Sequence, residues 1–597
     1  MITFDIESYD PNLKEMGPGV YRKDGHVLGC ALKIDENPGE YLPLVGNERP
    51  ASLRKLEKVL GSTDDKLAAN SQYDIDWLQN YEGIQINGKV YDVQNAEPLL
   101  DEYADSYSVD SLAEKYLGQK KGIDEIALYC AERGWKGDPR KYLKDVPVPL
   151  VAKYAISDVE QEYAIHEKQV PILKEENLYA LYELECGLTP LMIQMRKAGI
   201  RVDSERRRTA ALQLRNKYTE LRKQLFDEYG PFNHNSTADL AEIFDRLKLP
   251  YGVTATGRKS VTTEILERAD HPFAHEVLML RNVDKIYSTF LMGAFVEHDV
   301  DGRIHCSFYP LKKDNGGTVS GRFSSKNPNL QQVPGKNKEE EGLYDFASMV
   351  RGIFIPEEGC WYGKIDYSQI EYRIIAHYAR GPKSDEIRRK YKEDANTDYH
   401  QLVMDWVKEM TGHEISRGDA KRVNFGFAYY MGPPAMSRKF NWPIEKAKQF
   451  QELYKTTMPF IVPTRTAVVN VAQGRGYIRT ILNRKARVTD QMREDKKSYV
   501  MFNRLIQGSA ADVNKKAMYD AYTAGVFNVL TPHLTVHDEL GVSVPKTKEG
   551  IDAYRELKYL MENAVELRVP IVADAEIGDS WGTTSEIENW EDLYGQV

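Results

Sequence analysis

Between residues 416 and 432 the chain reads SRGDAKRVNFGFAYYMG, in which Arg417, Lys421, Phe425 and Tyr429 recur at every fourth position. At 3.6 residues per turn they form one slowly drifting stripe, so the segment is expected to be a helix. Ser416 with Asp419 three residues on supplies a start signal, and Gly432-Pro433-Pro434 supplies a stop. Two cations in the opening turns oppose the positive end of the helix dipole, at a cost of a few tenths to about 1 kcal/mol each unless an anion sits there. A polyphosphate is such an anion, and the aromatic pair behind it suits stacking on a base or sugar. An amphipathic helix with a solvated basic face and an aromatic core edge would read the same way, so the stripe has to be weighed with its neighbours.

Upstream, CWYGKIDYSQIEYRIIAHYA places Asp366 at the end of an apolar and aromatic run that reads as a strand, followed by a helix with Glu371 and Arg373. Downstream, HLTVHDELGVSVP sets His537, Asp538 and Glu539 between two alternating stretches, the pattern of a hairpin with acids at its turn. Acids at turns are commonly only solvated turn formers. Two strand ends each offering a carboxylate, with a triphosphate-ready helix between them in sequence, point further, to a pair of divalent metals held by Asp366 and Asp538. Phosphoryl transfer needs such a clamp, and magnesium, which takes one or two carboxylates plus substrate phosphates, suits this ligand set.

DYSQIE, RxxxKxxxFxxxY and VHDE resemble motifs A, B and C of the family A DNA polymerases, the group related to bacterial DNA polymerase I. TVSGRFSSKNPNLQQVP (318–334) is similar to the family's primer-template segment, and FNHNSTADL (232–240) to its thumb. GYIRTILNRKARV (476–488) and QGSAAD (507–512) resemble the return from fingers to palm, and DAEIGDSWG (574–582) the carboxyl end. The resemblance covers roughly residues 180–582.

The N-terminal region tells a second story. MITFDIESYD puts Asp5 and Glu7 on the same face of an extended chain. NSQYDIDWL (70–78) and YAISDVEQEYAIHEK (154–168) then set Asn70 with Asp74, and Tyr154 with Asp158, one helical turn apart. Taken in order, these segments resemble exonuclease motifs I, II and III of the DEDD proofreading nucleases, in the subtype with a tyrosine. That resemblance implies an RNase H-like fold in which Asp5, Glu7, Asp74 and Asp158 hold two metals and Tyr154 positions the attacking water. With Asp5 so near the start, neither a cleavable targeting peptide, which would remove the site, nor a preceding 5′ nuclease domain is expected.

At 597 residues the chain is expected to form several domains of about 100 to 200 residues each. The net charge of −10 argues against nucleic acid only if charge is read globally. Two local basic stretches could contact phosphates: Arg206 to Arg208 with Arg215, Lys217, Arg222 and Lys223, and RGYIRTILNRKAR (475–487). The five cysteines are scattered without a CxxC pair, so neither a zinc site nor a disulfide framework is expected, which suits a reduced cytoplasmic chain. No apolar run approaches about 18 residues, so no membrane span is expected.

The expected architecture is α/β (mixed α+β), an RNase H-like exonuclease domain followed by a right-hand polymerase of palm, fingers and thumb. Expected bounds are 1–170 for the exonuclease, 171–203 for a connecting helix, 204–300 for the thumb, 301–385 and 501–597 for the palm, and 386–500 for the fingers. KNKEEEGLY (336–344) reads as a loop. By the resemblance, Asp366 and Asp538 bind the polymerase metals and Glu539 is an auxiliary acid. Arg417 and Lys421 grip the incoming dNTP, Phe425 stacks beside its sugar and base, and Tyr429 lies by the templating position. Glu371 gates against a ribose 2′-hydroxyl, while Arg322, Asn503, Gln507 and His537 match contacts to primer, template or nucleotide near the terminal pair. Two departures weaken the carry-over: Tyr499 stands where many relatives have arginine, and Tyr430 where Tyr-Gly is usual. The implied cofactors are two Mg2+ ions per site, with Mn2+ as a substitute, and the implied partners are primer-template DNA and dNTPs. The chain is expected to act as a monomer, in a bacterial host if it is a phage enzyme. The alternatives are a single-subunit RNA polymerase-like enzyme and a DNA-binding nuclease with an inert polymerase half.

Overall fold

The computed structural model describes residues 1–597 apart from 120–123, 255, 313–316, 336–343, 412–413, 429–430, 441 and 495–496, and apart from some helical side chains, Phe425 among them. Most of the expected loop at 336–344 lies outside the described residues, and a helix begins at Tyr344.

The first 175 residues are built on a five-stranded sheet in the order Glu40–Pro43, His26–Ile34, Ile2–Tyr9, Lys66–Ala68, Val90–Asp92. The first three strands are antiparallel and the last two join in parallel, so helices have to cross between them. Strand alternation sorts the first segment into two faces. Phe4 and Ile6 turn inward against Trp77 and Leu78, which leaves Asp5 and Glu7 on the opposite face. That face is covered by the long helix Val148–Glu175, packed on the Ile2–Tyr9 and His26–Ile34 strands.

The second sheet is antiparallel, ordered Thr531–Val536, Glu539–Pro545, Cys360–Tyr367, Ala573–Gly578, Ser585–Glu586. Helix Lys548–Asn563 packs on it and against helix Val500–Thr523. Among the described residues, six helices lie between Ser384 and Arg475. Helix Ser204–Tyr229, capped by Asp203, packs against helix Pro272–Lys285.

Two expectations need correction. The connecting helix expected over 171–203 breaks: helices Tyr179–Gly187 and Thr189–Ala198 are followed by a strand, Ile200–Val202. Gly199 makes the break at φ +56°, where a Cβ would also meet the His305 ring at 2.8 Å.

The second basic stretch is largely structural, with Arg479, Arg484, Lys485 and Arg487 engaged by acids and carbonyls, most of them in the N-terminal half. The hairpin of Tyr477–Arg479 and Lys485–Arg487 is clasped there: Arg487 pairs with Glu102 at 2.7 Å, Lys485 with Glu176, and Arg479 donates to the Glu176 carbonyl. Arg484 is buried between Glu185 and Asp512, and Lys515 lies 2.8 Å from the same Glu185. The nearby helix Tyr179–Gly187 brings Glu185 into this network.

All five cysteines are free thiols. Among the described residues no helix is long and apolar enough to cross a membrane.

Candidate active sites

In the N-terminal half, carboxylate oxygens of Asp5, Glu7 and Asp158 all lie within 4.8 Å of one another. Asp74 is 3% exposed and anchored to the same strand, accepting from the Ile6 backbone N–H at 3.2 Å. Burial first, then the neighbouring acids Asp74, Glu162, Glu7 and Asp158, hold the Asp5 carboxyl well above its usual range. Burial and then Asp158 push Glu7 up to about 8, against the opposing pull of Arg140. Carboxylates crowded out of water in this way either keep protons or neutralise one another through a cation, so the cluster fits a divalent ion.

Tyr154 lies one turn before Asp158 on helix Val148–Glu175, its ring under the Arg140 guanidinium at 4.4 Å. A cleft of about 190 Å³ lined by Tyr154, Asp158, Arg140, Lys153 and Gln161 opens beside them. Asn70, in the left-handed region at φ +56°, starts the helix that carries Asp74.

The second cluster stands at the end of the Cys360–Tyr367 strand. Antiparallel register sets Asp366 opposite Glu539 on one side and Asp574 on the other. His537 and Asp538 form the turn between strands Thr531–Val536 and Glu539–Pro545, with the exposed His537 at φ +60°. The hairpin therefore delivers Asp538 next to the Asp366 strand end. One Asp366 oxygen, Oδ1, is buried with no hydrogen-bond partner among the described residues. Burial and then Asp538, Glu539 and Asp574 hold this carboxyl well above the usual range. Burial likewise raises Asp538, against Arg322. An orphaned carboxylate oxygen facing a second acid has the donor chemistry of a hard divalent cation site.

Glu539 differs. Its Oε1 accepts from the Trp581 indole at 2.6 Å and its Oε2 lies 3.6 Å from Arg351, which in turn stacks on Trp581.

Arg322 forms an ion pair with Glu371 and lowers the Asp538 carboxyl, so one cation serves both acids. Burial raises the Glu371 carboxyl in spite of Arg322. Arg373 is 1% exposed and donates to the carbonyls of Ser368, Pro570 and Ala395, a structural brace.

The expected stripe helix runs Arg417–Ala428, with Arg417 and Lys421 both exposed. The side chain of Phe425, and Tyr429 and Tyr430 entirely, lie outside the described residues. The anion that the helix start calls for is present within the chain: Arg417 pairs with Asp398, which also accepts from His400 N–H at 2.8 Å and the Gln369 amide at 3.2 Å. Gln369 closes the turn after Asp366, so Asp398 ties that turn to the cationic helix.

Asn503 and Gln507 sit one turn apart on helix Val500–Thr523, and Asn503 Oδ1 is buried without a hydrogen-bond partner among the described residues. Sequence reading missed Asp398, Asp574, Arg140 and Glu162. Only Glu162 carried a local signal, four residues after Asp158 on a helix.

Comparison with known proteins agrees with both halves. Residues 204–583 match DNA polymerase family A, and residues 18–174 match a 3′-5′ exonuclease family, a span that begins after Asp5 and Glu7. The DNA-directed DNA polymerase of Pseudomonas phage M6 is 32% identical over 97% of this chain and 94% of its own. DNA polymerase DpoZ of Salmonella phage PMBT28 is 30% identical over 85% of this chain and 86% of its own. DNA polymerase I of Geobacillus stearothermophilus is 30% identical over 84% of this chain but 56% of its own length. The solved POL domain of Pol1 from M. smegmatis, in complex with DNA primer-template and dNTP, shares the fold, with a TM-score of 0.79 over 97% of this chain and 95% of that chain at 22% identity. Polymerases and exonucleases of these families depend on metal ions. The chain belongs to DNA polymerase family A and is a DNA-directed DNA polymerase with an N-terminal 3′-5′ exonuclease domain.

Proposed function

We propose that this polymerase extends a primer on a DNA template at the Asp366–Asp538 site and trims mispaired ends at the Asp5–Glu7–Asp74–Asp158 site. Two magnesium ions serve each site, with manganese as a substitute. The reading rests above all on the orphaned Asp366 Oδ1 at a strand end shared with Asp538. Asp366 and Asp538 would hold divalent cations, which when bound would lower the pKa of the primer 3′-hydroxyl and neutralise charge at phosphorus.

The chain's own groups do the rest. Arg417 and Lys421 grip the triphosphate, which competes with Asp398 for Arg417. Phe425 stacks beside the nucleotide, and Tyr429 sits by the templating base. Glu371, held by Arg322, fills the space a ribose 2′-hydroxyl requires, so exclusion is steric. Asn503, Gln507, Arg322 and His537 meet the primer terminus and its template partner. In the exonuclease site Tyr154, under Arg140, orients the attacking water. Residues 1–170 form the exonuclease, 204–300 the thumb, 301–385 with 501–597 the palm, and 386–500 the fingers. The phage relatives support a role in phage DNA replication, as a monomer in the cytoplasm of a bacterial host.

A primer-extension gel with magnesium tests both activities together. A labelled primer should lengthen with dNTPs and shorten without them. Shortening alone in both lanes would favour a nuclease with an inert polymerase half, and extension by NTPs at the dNTP rate would favour an RNA polymerase.

A further inference from the structure

Helix Val148–Glu175 carries Tyr154, Asp158 and Glu162 at successive fourth positions, one face turned toward the Ile2–Tyr9 strand. The exonuclease reading uses the first two and leaves the third without a task. The Glu162 side chain is 1% exposed. It accepts a backbone hydrogen bond from Ala69, while its Oε2 has no hydrogen-bond partner among the described residues. A buried carboxylate oxygen without a partner is among the costliest groups a fold can hold, so it persists where something else satisfies it.

The surroundings say what. Burial, then Asp158, Asp74 and Asp92 raise the Glu162 carboxyl, placing it among the exonuclease acids. Burial first, then Asp74, Glu162, Glu7 and Asp158, raise the Asp5 carboxyl, so Glu162 belongs to the same acidic surroundings as the trio Asp5, Glu7 and Asp158, whose oxygens lie within 4.8 Å of one another.

We propose that Glu162 is a fifth acidic residue of the exonuclease site, a positioning residue whose free oxygen would hold water carried by a cation bound in the Asp5 cluster. The proposal rests on the reading of the Asp5 cluster as a metal site. Glu162 acts through water, since it stands outside the trio of acids whose oxygens converge. Magnesium keeps several of its waters, and the groups that hold such waters change metal affinity by about 10- to 100-fold.

The test uses the full chain. Mn2+ is titrated calorimetrically, and single-strand degradation is followed against Mg2+ concentration, for the parent, Glu162→Gln, Glu162→Asp and Asp5→Ala. Glutamine keeps the shape and the Ala69 contact while removing the charge. Glu162→Gln is expected to bind Mn2+ about tenfold more weakly at the exonuclease site and to need about tenfold more Mg2+ to reach the parental rate. It does reach that rate, Glu162→Asp falls between, and the Mg2+ demand of primer extension stays as in the parent. Parental metal binding and demand in Glu162→Gln, with Asp5→Ala inactive in degradation, overturns the proposal and leaves the site standing. A nuclease-proficient Asp5→Ala overturns both. A Glu162→Gln rate that no excess of metal restores also overturns it, because the loss then lies in the fold.

Discussion

Glu539 accepts a 2.6 Å hydrogen bond from the Trp581 indole, whereas Asp366, its partner across the strands, keeps one buried oxygen without a hydrogen-bond partner among the described residues. The two acids are thus unequal: one braces the sheet end, and the other has an acceptor to spare. Glu539→Gln retains an acceptor for Trp581, and its single-turnover extension rate should fall less than about tenfold. Asp366→Ala should lose about a thousandfold or more, equivalent to roughly 4 kcal/mol of transition-state stabilisation. Comparable losses in the two variants would place Glu539 among the ion ligands.

The two acid clusters stand on different sheets. Asp366→Ala should abolish extension and leave degradation of single strands intact, while Asp5→Ala should do the reverse. Paired assays on each folded variant read this directly, and joint loss of both activities would contradict two independent sites.

Arg487 supplies the cation for Glu102, which is 4% exposed. Arg487→Ala strands that carboxylate and should cost about 1 to 3 kcal/mol, seen as a lower urea midpoint. Adding Glu102→Ala should recover part of the loss, because no buried charge is then left alone. A double variant whose losses simply add would mean that the pair carries no coupling.

His166 is 6% exposed, with no hydrogen-bond partner for either ring nitrogen among the described residues. Burial lowers its pKa from 6.5 to about 4. The unfolded chain therefore takes up the proton first as pH falls, so stability is lost between about pH 6.5 and 4. At about 1.4 kcal/mol per pH unit the loss approaches 3 kcal/mol. His166→Leu should flatten that part of the stability-versus-pH curve, and a curve parallel to the parent would place the acid sensitivity elsewhere.

What could be read from the chain was local. The Asp366 strand and following helix, the acidic hairpin turn and the Arg417–Ala428 helix all follow from alternation, period and stop signals within some 20 residues. Asp5 and Glu7 share a face because a strand has a period of two, and only packing could bring Asp158 to them. The basic stretch at 475–487 misled for the same reason. Seen along the chain its charges look solvent-bound, and nothing nearby reveals that Glu102, Glu176 and Glu185 lie opposite. Asp398 was equally hidden, since its partner is 19 positions away and separated from it by a whole helix.

The clasp of Arg479, Lys485 and Arg487 fastens the two halves of the protein into one frame. With the halves tied along this seam and the acid clusters on different sheets, a primer end that served both sites, as proposed, would itself have to pass from one sheet to the other.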